Sequence, residues 1–97
     1  MIERINENEK RLDNIRSSIT KLEDALNDFK SNKDNIKKLN KYYGSKNWFK
    51  DKETLEKGKI SNIKAGVLSE DAVWNLDEDI KEIIKEMDTI VKEYSNK

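Results

Sequence analysis

Apolar residues return at alternating three- and four-residue intervals from the start of the chain to Tyr43. With Ile5, Leu12, Ile19 and Leu26 at heptad position a, Met1, Asn8, Ile15, Leu22, Phe29, Ile36 and Tyr43 fall at d. Lys33 and Asn40 extend the a series, so ten of 13 core positions are apolar. A stripe held in phase over about six heptads keeps one face turned toward another helix. The spacing predicts a long helix over about residues 2–43, roughly 63 Å at about 1.5 Å per residue. Gly44 stands where a left-handed residue ends a helix. The weakest stretch is Ser31-Asn32-Lys33-Asp34-Asn35, mostly poor helix formers with a lysine at a core position, and a break there is the alternative.

A second stripe, Val73, Leu76, Ile80, Ile83, Met87, Ile90 and Tyr94, keeps the three-four spacing without exception. It predicts a helix over about residues 70–95. Ser69 is its expected N-cap, and Glu70 and Asp71 place negative charge on the first turn, where the helix dipole favours it. Six acid-to-base pairs stand at i, i+4: Glu7 with Arg11, Asp34 with Lys38, Glu53 with Lys57, Asp77 with Lys81, Asp88 with Lys92 and Glu93 with Lys97. Such pairs support a helix weakly and mark solvated faces.

Residues 44–68 carry apolar groups without regular spacing: Trp48, Phe49, Leu55, Ile60, Ile63, Val67 and Leu68. A short helix is expected from about Trp48 to Lys57, stopped by Gly58, and a helical turn from about Asn62 to Ala65, stopped by Gly66. The segment is too long for a plain hairpin loop and its bulky residues need burial. It is therefore expected to fold as a cap, with Trp48 and Trp74 in one small core. The predicted architecture is a single all-α domain, residues 1–97: a long antiparallel, coiled-coil-like helical hairpin with a short helical cap.

Tyr42-Tyr43-Gly44-Ser45, followed by Trp48 and Asp51 and then by the run Gly66-Val67-Leu68-Ser69-Glu70-Asp71-Ala72-Val73-Trp74-Asn75-Leu76, resembles the signature of a small bacterial family, domain of unknown function 4298. The resemblance covers nearly the whole chain. Ile60-Ser61 departs from the leucine-proline pair expected there. The resemblance implies short, mainly helical bacterial proteins, and it brings no catalytic residue with it. Tyr43, Gly44, Trp48, Gly66, Leu68, Ser69 and Trp74 are its structural positions here.

Composition narrows the chemistry. The chain is 41% charged, with no proline, no cysteine and no histidine. The base-activated nucleophiles built on cysteine or histidine are therefore absent, and no enzyme activity is expected. No cofactor is expected either. Lack of cysteine fits a reducing compartment. The start lacks the apolar stretch of a signal peptide and no run could span a bilayer, so the expected location is cytoplasmic, without membrane association. Lysine, asparagine and isoleucine supply 17, 11 and 11 residues, as an AT-rich bacterial genome would. Asp77, Glu78, Asp79 and Glu82 do not form a metal site in the heptad frame, where Glu78 and Glu82 point outward.

Charge is unevenly distributed beneath a net value of zero. Residues 1–29 hold five basic and seven acidic groups, residues 30–64 eleven and four, and residues 65–97 four and nine. The basic middle includes Lys37, Lys38, Lys41, Tyr42, Lys46 and Lys50, a lysine-and-aromatic surface of the kind single-stranded nucleic acid uses. An internal explanation competes with it: in an antiparallel hairpin Lys33 and Lys37 would approach Glu70 and Asp77, and the aromatics would form the core of the cap. Scarcity of arginine also disfavours base readout.

Unequal helix lengths carry the strongest functional hint. A second helix of about 26 residues covers roughly 39 Å, leaving about 24 Å of the first without a neighbour. Ile2, Ile5, Leu12 and Ile15 occupy that overhang and form the candidate interface. A second copy is the economical occupant, although a different bacterial protein could take the groove. A break near Asn32 would instead let the first segment fold back into a three-helix monomer. The chain thus reads first as a protein-interaction or adaptor module, a homodimer by preference. It reads second as an inhibitor of a bacterial toxin or a companion of a secretion substrate, although Trp48-Phe49-Lys50 stands where secreted hairpins carry Trp-x-Gly. Nucleic-acid binding comes third.

Overall fold

The computed structural model describes residues 1–96. Its helices are α1 (Ile2–Ser31), α2 (Lys33–Tyr42), α3 (Lys46–Glu56) and α4 (Ala72–Ser95), with a 3₁₀ turn at Gly66–Leu68. No strand occurs among the described residues. The protein is all-α, with the order of helix, helical cap and helix that the two stripes predict. Its contacts divide it into two compact units, Met1–Lys37 and the part from Lys38 onward.

In the first unit, the helix expected to run unbroken to Tyr43 is interrupted at Asn32. The cause is local competition for a carbonyl. The backbone N–H of Asn32 bonds to Phe29 O at 3.0 Å, and the Asp28 carbonyl accepts instead from Ser31 Oγ at 2.6 Å and Asn32 Nδ2 at 3.1 Å. Asn35 Nδ2 then donates to Asn32 Oδ1 at 3.0 Å, tying the start of α2 to the interruption. Short polar side chains that bond to nearby backbone groups offer the chain an alternative to the helical ladder. The heptad stripe of α1 is exposed except at Leu26, which is half-buried, and α1 contains no buried residue.

The second unit is built around a turn and a very small core. Gly44 adopts φ +76 and takes the chain out of α2; Ser45 then caps α3, its side chain accepting from Trp48 N at 3.2 Å. At the other end of α3, Gly58 adopts φ +71, with Gly58 N bonded to Leu55 O and Lys59 N to Thr54 O, the paired bonds of a Schellman end. Among the described residues, Trp48, Leu68 and Val73 are the buried ones, contributed by α3, the 3₁₀ turn and α4.

Several expectations for this unit are corrected. Gly66 does not stop a helical turn: it opens the 3₁₀ turn, and Asn62 takes the positive φ, 61°. Ser69 does not cap α4. Its hydroxyl accepts from Asp71 N at 3.4 Å, making a local turn, and the helix starts two residues later than expected, at Ala72 with Asp71 as N-cap. Trp74 is not in the core with Trp48, being 60% exposed where Trp48 is 4%. Adjacent helical residues point about 100° apart, so Val73 facing inward turns Trp74 out. The second stripe, expected to be covered within the chain, buries Val73, half-buries Ile80 and Met87, and leaves Leu76, Ile83 and Ile90 exposed. The short 3₁₀ turn contacts α4, and three residues can cover little of a 24-residue helix.

Of the six helix pairs, Glu53–Lys57, Asp77–Lys81 and Asp88–Lys92 close at 2.5, 2.9 and 2.8 Å. Arg11 bonds to Asn8 Oδ1 instead of Glu7, and Asp34 and Lys38 form no ion pair among the described residues. Glu93–Lys97 lies outside the described residues.

Candidate functional site

The signature residues converge on the corner between the end of α2, α3 and the start of α4. Tyr42 closes α2, and its hydroxyl donates to Asp51 Oδ2 at 2.6 Å, one turn beyond Trp48 on α3. Tyr43 donates to the Glu70 carbonyl, linking residues 27 apart in sequence. The Trp48 indole Nε1 donates to Val67 O at 2.9 Å, holding the loop before α4. Tyr43 and Phe49 meet the Trp48 ring edge-on, with centroids 5.2 and 4.9 Å away, and Lys52 Nζ stands 5.1 Å from its centroid. Edge-to-face aromatic pairs of this kind add to the gain from burial alone. Tyr42, Tyr43, Gly44, Ser45, Trp48 and Asp51 are thus all engaged in holding the corner together.

Tyr42, Lys52 and Glu70 of the corner are each shifted away from neutrality. The Asp51 carboxylate accepts the Tyr42 hydroxyl and raises the phenol above its ordinary value near 10, with desolvation acting in the same direction. A hydrogen bond from Lys52 lowers Glu70, and the same contact, at 2.9 Å, raises Lys52. Each of these shifts favours the form already present at neutral pH. Among the described residues no buried side-chain nitrogen or oxygen lacks a partner. On α4, Lys81 takes both Asp77, at 2.9 Å, and Glu78, at 3.6 Å, and no acidic cluster among the described residues is arranged to hold a metal ion.

The residues of the candidate basic and aromatic surface separate. Lys37, Lys38, Lys41, Lys46 and Lys50 are exposed, but Tyr42, Tyr43 and Trp48 are turned into the corner. Phe49, 60% exposed, is the one aromatic ring of this segment open to solvent. Glu70, expected beside Lys33 or Lys37, pairs with Lys52, and Asp77 pairs with Lys81.

The candidate interface residues Ile2, Ile5, Leu12 and Ile15 are all exposed. Sequence reasoning stopped the open stripe at Ile15; in the structure Ile19, Leu22 and Phe29 of α1 are exposed as well. Ile5 at 53% and Leu22 at 57% are far from the burial that a helix-packing position reaches. Ile15, Ile19 and Leu22, with Asn14 and Ser18, line a shallow apolar depression midway along α1. The signal for this longer surface was already in the heptad stripe, which runs on past Ile15 without a change of character. By contrast, no pattern in the sequence links Lys52 to Glu70.

No helix of the described residues is long and apolar enough to cross a membrane. No curated protein and no solved structure matches the chain. The family described as domain of unknown function (DUF4298) matches residues 5–90, a span that takes in most of α1, the corner and most of α4. The signature tyrosines, tryptophan and glycines lie within that span, and the chain belongs to the DUF4298 family.

Proposed function

We propose that this chain is a non-enzymatic protein-interaction module of the bacterial cytoplasm that works through the apolar face of α1, pairing with a second copy of itself. The observation that carries the reading is the open stripe: from Ile2 to Phe29, α1 presents a heptad-spaced apolar row and buries none of it. Contiguous apolar surface of this kind marks an interface in a protein that otherwise stays in water. A second copy supplies the same stripe, so self-association needs no feature beyond those already present. The corner supports this division of labour. Its aromatics and charges are engaged with one another, leaving it as a brace rather than a binding site. The same engagement withdraws Tyr42, Tyr43 and Trp48 from stacking and leaves Phe49 alone open to solvent in that segment, which disfavours a single-stranded nucleic-acid surface.

Replacing Ile5 and Leu12 together by aspartate puts two charges into the seam. The double variant is expected to lose the assembled mass in light scattering and run as a monomer, with the fluorescence of the second unit unchanged. A double variant that keeps the assembled mass of the wild type would overturn the proposal.

A further inference from the structure

Beside the apolar stripe of α1, the e positions of the heptad frame carry Glu9, Arg16, Glu23 and Lys30. These signs alternate at seven-residue intervals: minus, plus, minus, plus. All four side chains are exposed, and none makes an ion pair within the chain among the described residues. Read backwards, the ladder is plus, minus, plus, minus. It is therefore complementary to a reversed copy of itself.

From this ladder we infer that two copies of α1 pair antiparallel in one register, with Ile19 of each chain against the partner's Leu22 at the two-fold axis. The inference rests on the self-association proposed above and adds the orientation and the register. In antiparallel coiled coils a residues pack against d residues of the other chain, and e positions face e positions. Setting Ile19 on the partner's Leu22 also sets Leu12 on the partner's Phe29 and Leu26 on the partner's Ile15, so every layer within these pairs is apolar. The shallow depression at Ile15, Ile19 and Leu22 then lies at the centre of the seam. In the same register Arg16 stands beside the partner's Glu23 and Glu9 beside the partner's Lys30, each about 3 Å out of level along the axis. Symmetry doubles these to four ion pairs. Carried past Asn32, the register also brings Lys33 opposite the partner's Asn8, two polar core positions of this region that would otherwise face apolar layers.

Neighbouring registers turn the ladder against itself. A slide of one heptad in one direction puts Glu9 beside the partner's Glu23 and Arg16 beside the partner's Arg16. In the other direction Glu23 meets the partner's Glu23 and Arg16 meets the partner's Lys30. A slide of two heptads recovers attraction at one kind of pair only and shortens the seam. Parallel pairing matches a to a and g to e, which stacks Lys33 on the partner's Lys33 and sets Arg11 beside the partner's Arg16. Charges flanking a seam select orientation and partner in this way, by penalising the alternatives.

The test is sedimentation equilibrium of the full chain and three variants: Arg16→Glu, Glu23→Arg, and both together. Each single reversal places like charges at two symmetric sites and is expected to raise the dimer dissociation constant roughly tenfold. The double exchange restores opposite charges and is expected to return it to within about threefold of the wild type. A double exchange no tighter than the weaker single variant, or Arg16→Glu binding more tightly than the wild type as parallel pairing requires, would overturn the register while leaving self-association standing. A wild type that stays monomeric would overturn both.

Discussion

Replacing Trp48 by phenylalanine tests whether the signature tryptophan is the keystone of the corner. Trp48 is one of three buried residues among those described in the second unit, and its Nε1 satisfies the Val67 carbonyl at 2.9 Å. Phenylalanine keeps the edge-on approach to Tyr43 and removes that donor, leaving a half-buried carbonyl without its partner, at about 1–2 kcal/mol. The smaller ring also gives up part of the burial, roughly another 1 kcal/mol. The sum, about 2–3 kcal/mol, is a large share of what a small domain has, and corresponds to a melting temperature lower by roughly 8–20 °C. Scanning calorimetry provides the measurement, with Trp74→Phe as the control. Trp74 is 60% exposed, so its replacement is expected to leave the transition nearly unmoved. A Trp48→Phe protein melting within about 2 °C of the wild type, or a Trp74→Phe protein damaged equally, would refute the reasoning.

Two further expectations concern pH. Tyr42 has its folded value raised above 10 by its hydrogen bond to Asp51, so the stability it contributes is present below pH 10 and is lost as pH rises through the folded value. Melting temperatures measured from pH 9 to 12 should fall more steeply for the wild type than for Tyr42→Phe; parallel curves would contradict the bond. Glu70 is lowered by Lys52, so its contribution is present above about pH 4.5 and lost as pH falls through the folded value. The difference in melting temperature between the wild type and Glu70→Gln should be small at neutral pH, since the pair is exposed, and should shrink further in acid. A difference that grows in acid would mean the pair is not the source.

What could be read in the chain beforehand was the periodic and the local. The two stripes predict the two principal helices, and Gly44 and Gly58 mark helix ends because both take positive φ. The interruption at Asn32 fell within the run of poor helix formers where a break was the alternative, although propensity alone could not choose it over continuity. The missing discriminator is the bonding of Ser31 and Asn32 to the Asp28 carbonyl. Ser69 misled because a serine before an acidic pair reads as an N-cap, whereas its hydroxyl bonds only to Asp71 N and α4 begins beyond it. Trp74 misled through size, which suggests burial. Its place next to Val73 on the same helix argued against that, since the stripe had already assigned Val73 inward. At the corner, the signature residues were visible as a motif, but their partners at Val67 and Glu70 are set by the path of a loop with no periodicity to read.

The central claim is that the open face of α1 is the working surface and that a second copy covers it. Sedimentation equilibrium of the wild-type chain from micromolar to millimolar concentration tests it most directly. One chain has a mass of 11.4 kDa. The account predicts a mass that rises with concentration to twice that value and stops there; a mass that stays at a single chain's value across the whole range would contradict it.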